Sequence, residues 1–430
     1  NTDGDVAGSP SARLLGTSIA ALSNLQHVLV VGSFLRKDHP LLAQRIRQAA
    51  RKGAQVHSLH AVHDDWLMPM ASTQSVAPSG WLQALADIAT ALGERNGAQP
   101  PLAGRASDDA KAIAASLASG ERKAILLGNA AAQHPQAAAL LALANWIGAQ
   151  TGASVGYLTE AANTVGAQLV GALPRSGGLH AGQMLAGPAL KACVLLNLEP
   201  TLDAGNAAAA SAAVQAAEMV VVMTPFKNVA NEFADVMLPV APFTETSGTF
   251  VNAEGRVQSF YGVVRPLGET RPAWKVLRVL GNLLALKGFD FETSEEVRAE
   301  ALGDETTIAS RLSNRSSAPA AANAATAAEL ERIADVPIYA TDSLVRRATS
   351  LQLTADARAP FASLPPSLWS QLGLRAGDQV RVSQGAAQAL LPAKLDATLA
   401  PNCVRVPAGH PDTAALGAMF GAISVEKASA

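Results

Sequence analysis

The sequence has only two cysteines, Cys193 and Cys403, in 430 residues. Their separation fits neither a CxxC pair nor the spacing of cluster or zinc ligands. Both lie in apolar runs that are typical of strands, Lys191–Leu196 and Cys403–Val406, so we expect two buried core thiols. An iron–sulfur cluster or a structural zinc site therefore cannot be built from these two cysteines alone.

The sequence also lacks an excess of one charge and any long apolar run. Lys and Arg number 33 against 35 Asp and Glu, so no long-range field of one sign exists to attract nucleic acid or an anionic membrane. The longest apolar runs, such as Val28–Val31 and Val220–Met223, are far shorter than the roughly 20 residues that span a bilayer. We expect a folded globular protein with no nucleic acid partner and no direct membrane insertion.

Several catalytic and nucleotide-binding motifs are absent. No GxGxxG follows a strand-like run, and neither GxxxxGK[ST] nor GxSxG occurs. Gly32–Ser33 and Gly128–Asn129 supply only the small residues that a turn from strand to helix requires. The sequence therefore disfavours a dinucleotide site, a P-loop and serine hydrolase chemistry.

The first 300 residues alternate between strand and helix patterns. Val28–Val31 is a continuously apolar strand, a helix runs from Pro40 to its stop at Gly53, and Ala54–His57 is the next strand, which together predict one βαβ unit. The same alternation recurs twice. Lys123–Leu127 and residues 154–158 are strands on either side of a helix near 135–149, and Lys191–Leu196 and Glu218–Thr224 are strands on either side of an Ala-rich segment. This order predicts an α/β fold with a mainly parallel sheet.

The pattern changes after residue 302. Residues 303–336 have the Ala, Ser, Asn and Thr content of a linker, although an Ala-rich helix over 320–334 stays open. Short alternating segments follow, as in a small β-barrel, with one short helix at Pro366–Leu372; the segments are Pro337–Leu353, Asp378–Ser383, Ala387–Leu395 and Cys403–Val406. We therefore predict an α/β region over 1–302, a linker over 303–336 and a β-barrel-like domain over 337–430.

A histidine-rich string follows the second predicted strand. His57, His60 and His63 precede Asp64 and Asp65, and imidazoles and carboxylates are the ligands that zinc takes. The three rings would converge only if a helix began within the string, and it directly follows a strand. We therefore interpret these histidines as structural or solvated.

The densest group of special residues is the stretch ADVMLPVAPFTETSGTFVNAEGRVQ, residues 234–258. A short helix, Lys227–Ala234, leads into a buried strand at Val236–Val240 that ends at prolines. Thr249–Val251 and Arg256–Ser259 then form a predicted hairpin whose turn, residues 252–255, needs a positive φ at its glycine. A helix over Pro272–Lys287 follows.

Three charged residues of this stretch are candidates for chemistry. Glu245, Glu254 and Arg256 could bind or protonate a ligand, because α/β enzymes place their chemistry on loops at strand ends. The alternative is that Glu245 and Arg256 form an ion pair or hold loop amides. The residues alone leave both interpretations open.

The same stretch resembles a segment of the molybdopterin-dependent oxidoreductases, with the pattern A-D-x-x-L-P-x-x-x-x-x-E-x-x-G-T-x-x-N-x-E-G-R-x-Q. Every fixed position is met, by Ala234, Asp235, Leu238, Pro239, Glu245, Gly248, Thr249, Asn252, Glu254, Gly255, Arg256 and Gln258. The resemblance implies Rossmann-like α/β layers of mainly parallel sheet, followed by a small C-terminal domain similar to the family's double-psi β-barrel around Leu372–Val382.

Within that superfamily, Val28–His60 looks most like the large iron–sulfur subunit of respiratory complex I, the NADH-quinone oxidoreductase, with Arg36–Leu41 as the deciding run. This resemblance implies a peripheral-arm subunit on the cytoplasmic face of the inner membrane, in a complex that transfers electrons from NADH to quinone and translocates protons. Its 2Fe-2S and 4Fe-4S clusters would lie upstream of Asn1, so we expect this chain to be a fragment, non-catalytic, without a cofactor or metal, and in contact with other peripheral-arm subunits.

The alternative is a fragment of a molybdopterin-dependent oxidoreductase similar to formate dehydrogenase or nitrate reductase, whose metal ligand would also lie upstream of Asn1. Under the complex I interpretation the motif is a vestigial pterin site, made of Glu245, Gly248, Thr249, Asn252, Glu254, Gly255 and Arg256. We then expect Glu245, Asn252 and Arg256 to hold the loop and hairpin through hydrogen bonds, and Arg256→Ala to lower stability or assembly.

Overall fold

The computed structural model describes residues 12–174, 177–227, 232–316, 319–320 and 330–428. The helices are α1 (Leu35–Asp38), α2 (Pro40–Arg51), α3 (Trp81–Asn96), α4 (Asp108–Ala118), α5 (Asn129–Gln133), α6 (Ala137–Thr151), α7 (Thr164–Leu169), α8 (Ala181–Ala186), α9 (Pro200–Asp203), α10 (Ala207–Ala216), α11 (Ala273–Leu283), α12 (Ser294–Leu302), α13 (Thr349–Gln352) and α14 (Pro366–Gln371). Short 3-10 turns lie at Ala21–Asn24, Pro78–Gly80, Phe243–Glu245, Glu305–Arg311, Ile338–Ala340, Val345–Arg347, Ala355–Ala357 and Pro411–Thr413.

The first sheet is five-stranded and fully parallel. Its strands are β1 (His27–Val31), β2 (Gln55–His60), β3 (Ser72–Ser75), β4 (Lys123–Leu127) and β5 (Ser154–Tyr157), in the order β3-β2-β1-β4-β5. Apolar side chains pack on both faces: α2 and the N-terminal segment cover one face, and α3, α4 and α6 cover the other. Burial on both faces explains why β1 and β4 are continuously apolar in sequence, and the predicted βαβ unit is confirmed.

The second sheet is a smaller parallel sheet of three strands. It consists of β6 (Ala192–Leu196), β7 (Met219–Thr224) and β8 (Val236–Pro239), in that order. One face packs on α10 through Leu195, Val220 and Val222. The prediction that residues 236–240 form a buried strand is wrong for most of β8, because Val236 lies on the other face and is 40% exposed.

The hairpin predicted within the motif is present. It consists of β9 (Gly248–Val251) and β10 (Val257–Phe260), paired antiparallel with Val251 opposite Val257. Gly255 has a φ of 86°, as the predicted turn requires. The predicted helix at Lys227–Ala234 lies partly outside the described residues.

A mixed seven-stranded sheet forms the C-terminal part. Its strands are β11 (Glu331–Ile333), β12 (Ala362–Leu364), β13 (Gln379–Gln384), β14 (Ala387–Leu395), β15 (Cys403–Arg405), β16 (Phe420–Ala422) and β17 (Ser424–Lys427), in the order β16-β11-β15-β12-β14-β13-β17. The four predicted segments from Pro366 to Val406 are present with small shifts at their ends. The double-psi arrangement and the domain boundaries stay predictions.

Two sequence-based assignments in this region are wrong. Residues 331–333, placed in the linker and in a possible helix, form the buried strand β11 between β15 and β16. Its Arg332 donates to the carbonyl oxygens of Val406 and Gly417, a long-range partnership that local composition does not encode. Residues 337–353 form 3-10 turns and α13 instead of alternating strands. Of the remaining linker, residues 303–316 are described and include the 3-10 turn Glu305–Arg311, whereas residues 317–318 and 321–329 lie outside the described residues.

The C-terminal part of the chain, residues 330–428, packs on the carboxyl ends of both parallel sheets through its sheet, its loops and its 3-10 turns, and we call this contact the seam. At the first sheet, the backbone N–H of Ala400 donates to Ala61 O at 2.9 Å, and that of His63 donates to Thr398 O at 2.8 Å. At the second sheet, Glu199 follows β6 and accepts hydrogen bonds from Arg346 at 2.6 Å and Arg347 at 2.5 Å. Hydrogen bonds and buried charges therefore hold the seam.

Replacing Glu199 tests how strongly the seam is held. Its side chain is only 8% exposed, so Glu199→Ala leaves two guanidinium groups without their shared carboxylate. We expect the free energy of unfolding to fall by about 3 kcal/mol, measured by denaturant titration. The exposed pair of Arg298 with Glu305 is the control, and Glu305→Ala should cost less than about 1 kcal/mol. Equal losses in the two variants would contradict the role given to Glu199.

Candidate functional site

The carboxyl edge of the first sheet is where an open α/β sheet binds its ligand, at the point where strand order reverses. Here that point lies between β1, which continues outward to β2, and β4, which continues outward to β5. The loops after these strands touch: a Cβ on Gly128 would lie 2.3 Å from Ser33 Cβ. They are joined further by His39 Nε2 and Asn129 Oδ1 at 3.1 Å.

A stack of rings fills the space beside these loops. Phe34 packs edge-on against His60 at 4.5 Å between centroids, His60 lies 5.4 Å from Trp81, and Trp81 lies 5.4 Å from His134. Phe420, from β16, closes the stack from the C-terminal sheet at 5.6 Å from His134. The stack therefore belongs to both sides of the seam.

Three buried polar atoms at this edge have no hydrogen-bond partner among the described residues. They are Ser33 Oγ, Asp38 Oδ2 and His60 Nε2. Ser33 and His60 are each only 2% exposed. A buried polar group without a partner costs about 1–3 kcal/mol, so the site has an unmet capacity to bind a hydrogen-bonding group.

A group of charged side chains surrounds Asp38. Arg405 binds Asp335 at 2.8 Å and Asp64 at 3.2 Å, and its guanidinium lies 4.5 Å from the Phe34 ring centroid. Burial, together with the negative charge of Asp335, raises the pKa of Asp38 to about 7. Asp38 can therefore gain or lose a proton near neutral pH.

The buried histidines near this edge are held in the neutral form. Burial lowers the pKa of His60 to about 3 and the pKa values of His39, His57 and His134 to about 4. For each of these histidines, the unfolded chain binds a proton more tightly than the folded protein does. The contribution of the neutral ring to the free energy of unfolding is therefore lost as the pH falls from 6.5 through the lowered pKa. Acid should therefore lower the free energy of unfolding.

The histidine string does not converge on one point. His57 and His60 both lie in β2, three residues apart, so their side chains point to opposite faces. His57 Nδ1 is 2.7 Å from Ser72 Oγ, and His60 Nδ1 accepts from the backbone N–H of Val62. His63 is exposed. No group of three or more His, Cys, Asp and Glu side chains is placed to hold a metal ion in the described part of the chain.

The motif hairpin lies away from this edge, against the N-terminal segment. Asn252 Oδ1 accepts from the backbone N–H groups of Glu254 at 3.0 Å and Arg256 at 2.9 Å. Glu254 Oε1 accepts from the N–H of Ile19 at 2.7 Å, and Thr249 Oγ1 is 3.0 Å from Ser259 Oγ. These polar groups are used within the protein, as the structural interpretation expects.

The expectation for Arg256 needs correction, whereas the hydrogen-bonding role expected for Glu245 is present. Arg256 is exposed and takes part in the hairpin through its backbone N–H, so its side chain does not hold the turn. Glu245 makes no ion pair with Arg256; it accepts from the backbone N–H of Leu267 at 3.0 Å, so the expectation that it holds the loop through a hydrogen bond is confirmed. Gly248 packs under Phe260, where a Cβ would lie 2.7 Å from the ring.

The cysteine prediction holds for one thiol only. Cys403 is fully buried in β15, and burial raises its pKa to about 12. Cys193 is half-buried, because it lies in the edge strand β6.

Sequence reasoning missed the most important residues of the site. Trp81, His134 and Phe420 are far apart in sequence and carry no motif, and Arg405 lies in an ordinary strand pattern. Asp38 lies in the run Arg36–Leu41, which indicates a family resemblance and no role in a site. The position of Ser33 and His60 at strand ends was the one available signal.

Comparisons with known proteins agree with this architecture. A family model described as molybdopterin oxidoreductase matches residues 3–283. A Bacillus subtilis protein named "Probable oxidoreductase YjgC" is 36% identical over 123 residues, which are 29% of this chain and 12% of that protein. A Staphylococcus aureus protein named "Putative formate dehydrogenase" is 41% identical over 80 residues, 19% of this chain and 8% of that protein. The aligned segments are thus a small part of these relatives' lengths.

A solved structure extends the likeness to most of the fold. Acetylene hydratase from Pelobacter acetylenicus superposes with a TM-score of 0.60, covering 95% of this chain and 81% of that chain at 14% identity. No helix in the described part of the chain is long and apolar enough to cross a bilayer.

The family match contradicts the expectation that this chain holds no cofactor, because a molybdopterin oxidoreductase family implies a molybdopterin cofactor. The donor set at the first sheet's carboxyl edge fits such a group chemically. Ser33, Asp38 and His60 offer a hydroxyl, one carboxyl oxygen and one imidazole nitrogen that have no hydrogen-bond partner among the described residues. A pterin carries ring nitrogens, an amino group and a carbonyl that complement them.

The hairpin can be tested by comparing two motif residues. Asn252→Ala removes the acceptor of two backbone N–H groups, and we expect a loss of about 2 kcal/mol in the free energy of unfolding. Arg256→Ala removes an exposed side chain and should change stability by less than about 0.5 kcal/mol. Denaturant titration measures both, and a larger loss for Arg256→Ala would disprove the assignment.

The pKa of Asp38 can be tested through stability against pH. The folded-state pKa of about 7 lies above the unfolded value of 3.8, so the folded protein holds the proton of Asp38 more tightly than the unfolded chain does. The contribution of Asp38 to the free energy of unfolding is therefore present in acid and is lost as the pH rises to about 7. Relative to Asp38→Asn, the wild type should lose up to about 1.4 kcal/mol per pH unit across that range. Asp356→Asn, at the exposed pair with Lys37, is the control. Parallel curves for wild type and Asp38→Asn would refute the shift.

Proposed function

This chain belongs to the molybdopterin oxidoreductase family, and we propose that it is part of a molybdopterin-dependent oxidoreductase of the formate dehydrogenase type. The observation that carries the proposal is the family match over residues 3–283 together with 41% identity to a formate dehydrogenase relative over 80 residues. Because the aligned segments span 12% or less of the curated relatives, the substrate of the whole protein is part of the proposal.

The residues at the first sheet's carboxyl edge would hold the pterin. Ser33 Oγ and His60 Nε2 are the buried groups free to bond it, and Asp38 Oδ2 can hold or release a proton near neutral pH. When bound, a molybdenum centre exchanges two electrons with its substrate. The ring stack and the C-terminal sheet keep water out of this edge, which strengthens the hydrogen bonds made there.

A second candidate is the large iron–sulfur subunit of complex I, with other peripheral-arm subunits as partners and a place on the cytoplasmic face of the inner membrane. The resemblance of Val28–His60 supports it. In the structure this stretch forms β1, α1, α2 and β2, and it supplies Asp38 and His60 to the site. The relatives found by comparison favour the first candidate.

Metal content and activity test the two candidates. We expect protein purified from its native host to contain stoichiometric molybdenum and to reduce a viologen dye with formate. Protein from cells grown without molybdate is the control and should lose both properties.

The opposite result has a defined meaning. Protein without molybdenum that purifies with NADH-quinone reductase activity would overturn the formate dehydrogenase proposal and support the complex I candidate.

A further inference from the structure

Helix α11 lines a groove that takes no part in the candidate pterin site. The groove has a volume of about 630 Å³ and follows α11 from Trp274 to Leu283, and Leu238 of β8 and Phe291 complete its lining. At the helical rise of about 1.5 Å per residue, this stretch of α11 is about 14 Å long. A groove of this volume and length suits one elongated small molecule.

The lining of the groove changes from charged to apolar along the helix. The cationic side chains come from the residues just before α11 and from its first half, at Arg271, Lys275 and Arg278. The second half contributes Val279, which is 47% exposed, and Leu283, which is 80% exposed. A ligand that matches this lining has a charged group at one end and an apolar body along the rest of its length.

The cations of the groove have no carboxylate partner in the described part of the chain. Arg271 donates to a backbone carbonyl oxygen, and Lys275 Nζ lies 5.2 Å from the centroid of the neighbouring Trp274 ring. Neither side chain forms an ion pair with a described residue, and neither does Arg278. Glu292 is the one carboxylate among the lining residues, so the groove favours an anionic ligand.

Two buried N–H groups of the groove residues have no acceptor among the described residues. They are Nε of Arg278 and Nε1 of Trp274, which are four residues apart on α11 and therefore share one side of the helix. A buried donor without an acceptor carries a free-energy penalty, which an acceptor on a ligand would remove. A carboxylate has two oxygen atoms that accept hydrogen bonds from such donors.

We propose that this groove binds a free long-chain carboxylate, with its head group at Lys275 and Arg278 and its alkyl chain along Val279 and Leu283. A guanidinium binds a carboxylate through two parallel N–H···O bonds, so Arg278 fixes the position of the head group. The alkyl chain covers the apolar side chains that α11 leaves exposed, and removal of that apolar area from water stabilises the complex.

Other occupants match the groove less well. An inorganic anion would pair with the cations but leave Val279 and Leu283 in water. A phospholipid carries two alkyl chains, whereas the groove follows the side of a single helix. An acidic peptide helix presents carboxylates along its length, whereas the cations of the groove lie toward one end. A second copy of this chain would place the same cations against each other, and like charges repel.

Isothermal titration calorimetry with dodecanoate, below its micellar concentration, tests the proposal on protein purified from its native host. We expect saturable binding of one dodecanoate per chain. Dodecyltrimethylammonium has a tail of the same length and the opposite charge, and butanoate lacks the long tail, so each should bind at least tenfold more weakly. Equal binding of the three probes, or no saturable binding of dodecanoate, would overturn the proposal.

Paired substitutions then locate the site. Lys275→Gln with Arg278→Gln should weaken dodecanoate binding at least tenfold, and Leu283→Ser should reduce the preference for dodecanoate over butanoate. Arg45→Gln with Arg47→Gln, on the exposed side of α2, is the matched control and should leave the affinity unchanged. Circular dichroism checks that all variants fold.

Two further results would count against the groove as a carboxylate site. One is wild-type affinity for dodecanoate in the variant that lacks both cations. The other is binding to phosphatidylglycerol vesicles by protein that binds no monomeric dodecanoate, which would indicate a lipid surface as the occupant.

Discussion

Charge pairing at the seam is the constraint on which the rest of the structure depends. Arg405 binds Asp335 within the C-terminal part and crosses to Asp64 beside the first sheet, and Arg346 and Arg347 bind Glu199 at the second sheet. A buried charge is tolerable only when it is paired and hydrogen-bonded, so the pairs that cross the seam fix the position of the C-terminal part over the two carboxyl edges. The seam therefore fixes where a ligand at these edges can lie.

The seam also determines the character of the candidate site. Phe420 reaches across it to complete the ring stack, and Arg405 lies over Phe34. Enclosure by these groups removes water from Asp38 and His60, which is why the pKa of Asp38 rises while the pKa of His60 falls. Hydroxyl, carboxyl and imidazole atoms without partners then lie in one dry edge, a setting in which a polar cofactor would be bound strongly.

Local patterns predicted the elements well, and contacts between distant elements escaped prediction. Pro40 marks the start of α2 and Gly255 the hairpin turn, because backbone conformation is a local property. Strand β11 pairs with residues some seventy positions away, and nothing in its own three residues reveals that partner. The motif spacing identified Asn252 and Arg256 together. Only the contacts in the structure show that Asn252 accepts from two backbone N–H groups, whereas the side chain of Arg256 is exposed.

The two parallel sheets differ in how completely their faces are covered. The first sheet is buried on both faces and carries the site, so its strands need no partner beyond the seam. The second has the same parallel pairing, but only one face is well covered: on the other face Met223 is buried, whereas Val194 is 52% and Leu196 is 42% exposed. Since hydrophobic stabilisation scales with the apolar area removed from water, the second sheet gains most from an additional covering element.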